Sequence, residues 1–127
     1  MKNLNNKIVA SIEARMTSKR LPGKVLMEAI NGISMLEFMI NRIKKSKKIH
    51  QIVVATTTNK SDDPIIELCK KLKIDFYRGS EEDVLERVYK THSYFKSNIV
   101  VELTGDCPLI DSKIIDDCID LFLKNKF

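Results

Sequence analysis

The chain has 127 residues, of which 43% are hydrophobic and 31% are charged, and its net charge is +5. This composition predicts one globular domain over residues 1–127 with a core of its own. No apolar run approaches the ~20 residues that span a membrane, and the amino-terminal segment 1–7 lacks the apolar core of a signal peptide. We therefore expect a cytoplasmic protein without a membrane partner.

The positive charge by itself does not predict a nucleic-acid partner. The lysines are spread over helix ends and turns, where cations suit the helix dipole. They are not interleaved with aromatic residues, as single-strand binding requires. RNA binding through a basic surface is an alternative that rests on charge alone.

The cysteines and histidines predict neither disulfides nor a zinc site. Cys69, Cys107 and Cys118 are too few and too scattered for a disulfide framework, which favours reduced, mostly buried thiols. Neither Cys107 with Cys118 nor His50 with His92 has zinc-ligand spacing. We expect His50 at the exposed start of a strand and His92 on a helix without an evident partner.

Strand and helix signals alternate along the chain. Apolar runs predict strands over residues 7–12, 51–56, 74–78 and 98–104, and all but the third are nearly continuous, as is typical of strands covered on both faces. Four helix start signals lie between or after them: Ser34 with Glu37, Asp63 before Pro64, Ser80 with Asp83, and Asp111 or Ser112.

This alternation predicts the α/β fold class, with a Rossmann-like parallel sheet and helices on both faces. If the first strand is central, the sheet order is 3-2-1-4. A ligand crevice then lies beside strands one and four, at their carboxyl ends. The long connection from strand one to Ser34 is interrupted by Pro22, Gly23 and Gly32, and we interpret it as functional.

The segment after the first strand, residues 14–24, is here called the basic loop. Its eleven residues include Arg15, Lys19, Arg20 and Lys24 and no acidic residue. Such cations repel one another unless an anion lies between them, and Arg and Lys both suit phosphate oxygens. The loop therefore predicts a polyphosphate site, although it lacks the glycine and serine or threonine pattern of a P-loop.

Four segments carry a resemblance to a known family. They read ARMTSKRLPGK at 14–24, IVVATTTN at 52–59, YRGSEEDVLER at 77–87 and LTGDCPLID at 103–111. In order and spacing the chain resembles the cytidylyltransferases that activate sugars as CMP conjugates, such as the CMP-Kdo and CMP-acylneuraminate synthetases, and most of all the spore-coat polysaccharide-synthesis branch. The resemblance implies a nucleotide-diphospho-sugar transferase-like fold and the amino-terminal half of a longer protein.

The resemblance also implies site residues. Arg15 and Lys24 would hold the β- and γ-phosphates and are the predicted catalytic residues, while Arg20 either joins them or fixes the loop through a carboxylate. Asp106 would be a ligand of Mg²⁺, unless it is only a turn residue, and the second metal carboxylate would lie outside this half. The predicted nucleotide-binding residues are Ala14, Arg15, Met16, Ser18, Arg20, Lys24, Thr56, Gly79, Ser80 and Arg87.

Some of these assignments compete with structural roles. Helix capping alone would explain Ser80, and the turn alone would explain Gly79. Glu13, where relatives more often carry Gln or Pro, is expected to point away from the triphosphate. Cys107 is expected to be a small packed residue.

The expected function is transfer of CMP from CTP to an acidic sugar for surface polysaccharide synthesis, with release of pyrophosphate. The expected partners are CTP and the sugar, and a homodimer is possible in the full-length form. The alternative is a non-catalytic nucleotide-binding fragment or half of a split enzyme. We expect the 127 residues alone to have little or no transferase activity.

Overall fold

The computed structural model describes residues 6–125. Six strands and four helices follow one another in these residues, with two short 3-10 turns at Lys24–Leu26 and Lys60–Asp62. The strands are β1 Ile8–Glu13, β2 Glu28–Ile30, β3 Ile33–Ser34, β4 Gln51–Thr57, β5 Asp75–Gly79 and β6 Ile99–Thr104. The helices are α1 Met35–Ile43, α2 Asp63–Leu72, α3 Val84–Tyr94 and α4 Ser112–Asn125.

The four predicted strands form one parallel sheet in the order β5-β4-β1-β6. They are the third, second, first and fourth of the predicted strands, so β1 is central. The strand numbers differ from the predicted 3-2-1-4 because a two-stranded hairpin, β2-β3, precedes β4. Parallel strands end at the same edge of a sheet, so the segments that follow β1 and β6 meet there.

Helices cover both faces of the sheet. Side chains from α1, α2 and α4 join Ala10, Ile12 and Val54 in the main core. On the other face α3 packs on β1, where His92 Nε2 lies 2.9 Å from Ser11 Oγ. Successive side chains of a strand point to opposite faces, so β1 serves both layers.

The helix starts show which capping predictions hold. Ser34 Oγ accepts a hydrogen bond of 3.2 Å from Glu37 N at the start of α1, as predicted. The predicted cap at Asp63 is wrong, because α2 already begins there and Asp62 precedes it. At α3 the cap is Asp83, whose carboxylate accepts from Glu86 N at 2.8 Å.

The connection from β1 to α1 is ordered rather than structureless. It contains the basic loop, the 3-10 turn and the β2-β3 hairpin, which turns at Asn31 and Gly32 with φ angles of 49° and 76°. An Asn-Gly pair favours this kind of hairpin turn because both residues accept a positive φ. The sequence analysis missed that signal.

The expectations for the cysteines and for His92 are wrong, whereas that for His50 is confirmed. Cys69 is buried, but Cys107 and Cys118 are exposed. His92 has partners, because its Nδ1 also lies 2.8 Å from Ser97 Oγ. His50 is exposed as predicted, and its Nδ1 accepts a hydrogen bond of 2.9 Å from Ile8 N.

Candidate functional site

A cavity of about 330 Å³ opens at the carboxyl edge of the sheet, between the segments that follow β1 and β6. Its wall combines cations of the basic loop with Asp106, Arg87 and Glu13. Fourteen residues line it: Glu13, Ala14, Arg15, Thr17, Ser18, Lys19, Arg20, Lys24, Val25, Val84, Arg87, Thr104, Gly105 and Asp106. The topology thus brings the two predicted halves of the site together.

Hydrogen bonds hold the basic loop in a closed conformation. Gly23 N donates to Met16 O at 2.8 Å, which joins the two ends of the loop. Met16 N donates in turn to Asp62 Oδ1 at 2.7 Å. Asp62 is completely buried and also accepts a hydrogen bond from the Thr57 hydroxyl at the end of β4. A buried carboxylate therefore fastens the loop to the sheet.

Glu81 holds the outer side of the same loop. It lies 3.6 Å from Arg15 Nη1 and accepts a hydrogen bond of 2.6 Å from Thr17 Oγ1. Asn59 donates to its other carboxylate oxygen. The hydrogen bonds from Thr17 and Asn59, helped by the charge of Arg15, hold the pKa of Glu81 below its usual value. Arg15 is thus positioned by an exposed ion pair that an anionic ligand can replace.

Lys24 and Asp106 form an ion pair in the cavity wall, with Lys24 Nζ 2.6 Å from Asp106 Oδ1. Gly105, which precedes Asp106, lies directly against the end of β1. Its N–H donates to Glu13 O at 2.8 Å, and a Cβ at this position would lie 2.6 Å from that oxygen. Only glycine fits so close to the backbone of β1.

The residues around Asp106 suit a magnesium ion that arrives with phosphate. No group of three or more His, Cys, Asp or Glu side chains that could hold a metal occurs within residues 6–125. Mg²⁺ is commonly bound by only one or two carboxylates together with water and substrate phosphates. Asp106, whose side chain is 54% exposed, can therefore serve as a protein ligand to a nucleotide-bound ion.

Glu13 lies in the cavity wall, and its direction relative to a bound triphosphate stays a prediction. It is the last residue of β1 and, by strand alternation, lies on the face that α3 covers. There Arg87 Nη2 lies 4.0 Å from Glu13 Oε1. Burial, a hydrogen bond with Glu102 and the charge of Glu102 raise the pKa of Glu13 to about 7, against the opposing charge of Arg87.

Arg87 is almost completely buried beneath the cavity. Its Nη1 donates to Ser80 O at 2.6 Å, while its Nε has no hydrogen-bond partner among the described residues. Burial lowers the pKa of this guanidinium. Arg87 therefore retains hydrogen-bonding capacity next to the cavity.

The structure brings most, but not all, of the predicted site residues to the cavity. Ala14, Arg15, Ser18, Arg20, Lys24, Arg87 and Asp106 line it. The other predicted nucleotide-binding residues, Met16, Thr56, Gly79 and Ser80, do not. Thr56 is completely buried. Ser80 Oγ accepts from Asp83 N at 3.0 Å in the turn before α3, whose cap is Asp83 and not Ser80.

The sequence analysis missed Asp62 and Glu81 as supports of the basic loop. Asp63 before Pro64 was interpreted as the helix start, and the neighbouring Asp62 was given no role. Glu81 lies in a segment already singled out by the resemblance, but nothing in the pattern says which of its acids reaches Arg15.

No helix formed by residues 6–125 combines the length and the apolar character that crossing a membrane requires.

The comparison with known families identifies the family of this chain. The sequence pattern of the family described as cytidylyltransferase matches residues 9–127. The chain belongs to the cytidylyltransferase family. Its Arg15, Lys24 and Asp106 therefore lie in a cytidylyltransferase domain.

Similar proteins fit this assignment. A solved cytidylyltransferase from Leptospira borgpetersenii is 44% identical, with a TM-score of 0.88 over 94% of this chain and 50% of that chain. The spore coat polysaccharide biosynthesis protein SpsF of Bacillus subtilis is 36% identical over 115 residues, which are 87% of this chain and 48% of SpsF. A CMP:2-keto-3-deoxy-manno-octonic acid synthetase, solved with CTP, shares the fold with a TM-score of 0.81 and 22% identity over 94% of this chain and 48% of its own. This cytidylyltransferase chain thus spans about half the length of the relatives it matches.

Proposed function

We propose that this chain binds CTP in the cavity and takes part in transferring CMP to an acidic sugar for surface polysaccharide synthesis. The observation that carries the proposal is the arrangement of Arg15, Arg20 and Lys24 opposite Asp106 in one cavity of a cytidylyltransferase domain. Cations on one wall suit the triphosphate, and a carboxylate on the other suits its magnesium ion.

When CTP binds, the cations of these ion pairs can exchange their carboxylate partners for phosphate oxygens. Lys24 leaves Asp106 for a phosphate oxygen, and Arg15 leaves Glu81 for another. Both pairs are partly exposed, and such pairs contribute only about 0–1 kcal/mol, so their loss costs little. A charge-assisted bond to phosphate is stronger, which favours the exchange.

In the proposed reaction a sugar hydroxyl oxygen attacks the α-phosphorus of CTP. The new oxygen–phosphorus bond forms, the bond to the bridging oxygen of the β-phosphate breaks, and the hydroxyl proton is released. Arg15 and Lys24 hold the leaving pyrophosphate and neutralise its growing charge, which is the main means of catalysis in phosphoryl transfer. When Asp106 holds Mg²⁺, the ion supplies further charge neutralisation at the phosphates.

The sugar class comes from the relatives and not from a pocket of this chain. SpsF is named for spore coat polysaccharide biosynthesis, and the synthetase solved with CTP is named for a keto-deoxy sugar acid. We infer an acidic sugar on this basis. The predicted cytoplasmic location and the predicted homodimer stay predictions.

Calorimetric titration with CTP, UTP, GTP and ATP, with and without Mg²⁺, tests the proposal. We expect binding of CTP that is stronger with Mg²⁺ and stronger than that of the other three nucleotides. Absence of binding by all four, in a sample whose circular dichroism shows a folded α/β protein, would refute it.

The second candidate is a nucleotide-binding module without catalysis, or half of a split enzyme. It is favoured by the fact that the chain spans about half of its relatives. CTP binding without pyrophosphate release in the presence of a panel of nonulosonic acids would support this second candidate over the first.

A further inference from the structure

The segment between β6 and α4, residues 105–111, carries Asp106 and is here called the Asp106 turn. Its near end is tied to β1 by the hydrogen bond of Gly105 N. Within the turn, Cys107 N donates to Thr104 O at 3.3 Å and Ile110 N donates to Cys107 O at 3.2 Å. These two bonds join residues only three positions apart, so they shape the turn without fixing its far end to another element.

Arg42, in the last turn of α1, reaches the far end of the Asp106 turn. Its Nε donates to Ile110 O at 2.9 Å, and its Nη2 donates to Leu109 O at 3.1 Å. The donors of a guanidinium lie in one plane at fixed spacing, so this fork fixes both the position and the orientation of two successive carbonyl groups. Arg42 therefore anchors the far end of the Asp106 turn to α1.

The charge of Arg42 is not used in an ion pair. Among residues 6–125 its hydrogen-bond partners are these two backbone carbonyls, and no carboxylate pairs with it. The ring of Phe38, four positions earlier on the same side of α1, has its centroid 6.0 Å from Arg42 Cζ and steadies the guanidinium. A half-buried guanidinium with such partners serves to hold backbone, and its charge strengthens both bonds.

The same helix also holds the segment that carries Lys24. At the start of α1, Met35 N donates to Met27 O at 2.8 Å. Met27 directly follows the 3-10 turn that Lys24 begins. Thus α1 fixes the Lys24 segment at its first residue and the Asp106 turn in its last turn. Both partners of the Lys24–Asp106 ion pair are therefore placed by one helix.

We propose that Arg42 is a positioning residue that places Asp106 for the magnesium ion of the bound nucleotide. This inference rests on the proposed function. Mg²⁺ demands near-ideal octahedral geometry and takes only one or two protein carboxylates, so the direction of Asp106 decides how well the ion is held. Arg42 is not among the residues that line the cavity, so it acts through the Asp106 turn and not by touching the ligand.

Arg42→Met tests this role, because it removes both hydrogen bonds and keeps a long side chain over Phe38. Calorimetric titration of the full chain with CTP is carried out with and without Mg²⁺. We expect the enhancement of CTP affinity by Mg²⁺ to fall about tenfold, since a displacement of even ~1 Å can cost ~100-fold. The affinity without Mg²⁺ should stay close to that of the wild-type chain. Lys45→Ala, which removes a positive charge just after α1, is the matched control and should keep the full enhancement.

Two further measurements separate positioning from a general loss of stability. Residues that act through one another are not additive, so the double variant Arg42→Met, Asp106→Asn should bind CTP in Mg²⁺ as tightly as Asp106→Asn alone. Hydrogen exchange of the Cys107 and Ile110 amides should be faster in Arg42→Met than in the wild-type chain, because the far end of the turn is released.

Any of three results would overturn the inference: an undiminished Mg²⁺ enhancement in Arg42→Met, a further loss of affinity in the double variant, or unchanged exchange of both amides. Circular dichroism verifies that each variant is folded. If Arg42→Met does not fold, Arg42→Lys, which keeps the charge but not the planar fork, takes its place with the same expected losses. A wild-type chain that binds no CTP would refute the proposed function, whereas amide exchange would still decide whether Arg42 holds the Asp106 turn.

Discussion

At the residue scale, the cavity is lined by ion pairs between basic and acidic side chains. Two of the cations that face the expected triphosphate already have an acidic partner, Lys24 with Asp106 and Arg15 with Glu81. This pairing explains how like charges are held close together without a ligand. Because the two ion pairs involve different residues, substitutions in each pair should have distinct effects on ligand binding.

Arg15→Ala and Lys24→Ala should each weaken CTP binding by about 10–100-fold, because a charge-assisted hydrogen bond contributes about 1.5–3 kcal/mol. Calorimetric titration measures this. Lys70→Ala and Lys71→Ala, on the exposed side of α2, are controls that remove the same charge elsewhere. Equal losses in all four variants would mean that the basic loop contributes only general positive charge.

Asp106→Asn should abolish the enhancement of CTP affinity by Mg²⁺ while the protein stays folded. The amide keeps the shape but removes the charge that a hard cation requires. Lys24→Ala provides the comparison, because it breaks the same ion pair and leaves the carboxylate. If Asp106→Asn responds to Mg²⁺ like the wild-type chain, Asp106 is a turn residue and not a metal ligand.

Glu13 should make stability depend on pH. Its pKa is raised from 4.5 to about 7 in the folded chain, so the folded state binds the proton more tightly. The contribution of Glu13 to stability is therefore greatest below pH 4.5 and is lost as pH rises through 7, because ionised Glu13 is costly to keep beside Glu102. We expect this loss to be on the order of 1–2 kcal/mol, after allowance for the partial exposure of Glu13.

Glu13→Gln removes the titrating group and nearly keeps its shape. Urea unfolding at pH 8.5 should show a more stable variant, whereas at pH 4.5 the two chains should be nearly equal. Glu82→Gln, at an exposed position, serves as the control. A wild-type chain as stable as Glu13→Gln at pH 8.5 would contradict the buried-carboxyl interpretation.

At the scale of elements, the basic loop depends on a single buried anchor. Asp62 precedes α2, and its carboxylate reaches both the loop, through Met16 N, and the end of β4, through Thr57. It thus joins the basic loop to the turn between β4 and α2, although Met16 and Asp62 are 46 positions apart in the chain. The loop is neither a helix nor a strand, so such side-chain bonds determine its shape.

Asp62→Ala should lower the free energy of unfolding by about 1–3 kcal/mol, because it leaves a buried N–H without a partner. It should also weaken CTP binding and speed hydrogen exchange of the Met16 amide. Thr57→Val removes the other bond to the same carboxylate and should spare the Met16 amide. Unchanged exchange at Met16 in Asp62→Ala would show that the loop is held by other contacts.

At the scale of the whole molecule, the described part supplies the proposed nucleotide cavity and Asp106, the proposed metal ligand. No motif of the sequence indicates a pocket for a sugar carboxylate beside that cavity. Attack on the α-phosphorus requires the sugar hydroxyl to be fixed, and misplacement by ~1 Å can cost ~100-fold in rate.

We therefore expect the 127-residue chain alone to release pyrophosphate from CTP far more slowly than ~1 s⁻¹ with nonulosonic acids as acceptors. A phosphate-coupled assay of pyrophosphate release measures this, and a chain extended by the unmatched half of SpsF is the positive comparison. Turnover at ~1 s⁻¹ or faster by the chain alone would show that its site is already complete.

Much of this protein could be predicted from local patterns in the sequence. The continuous apolar runs predict buried parallel strands, and the capping residue Ser34 predicts the start of α1. The clustered cations of the basic loop predict an anion site, because like charges repel one another unless an anion lies between them. These features depend on residues that are close together in the chain, so they can be predicted from the sequence alone.

Only the tertiary structure decided which side chains meet. Glu13 and Arg87 are 74 positions apart in the chain, and their contact follows from α3 lying across β1. Asp62 reaches Met16 because the end of β4 lies next to the end of β1. Such long-range packing also determines the pKa of Glu13, the partners of Arg15 and Lys24, and the position of β6 at the edge of the described sheet. A pattern of residue types does not specify which distant groups come within a few ångströms of one another.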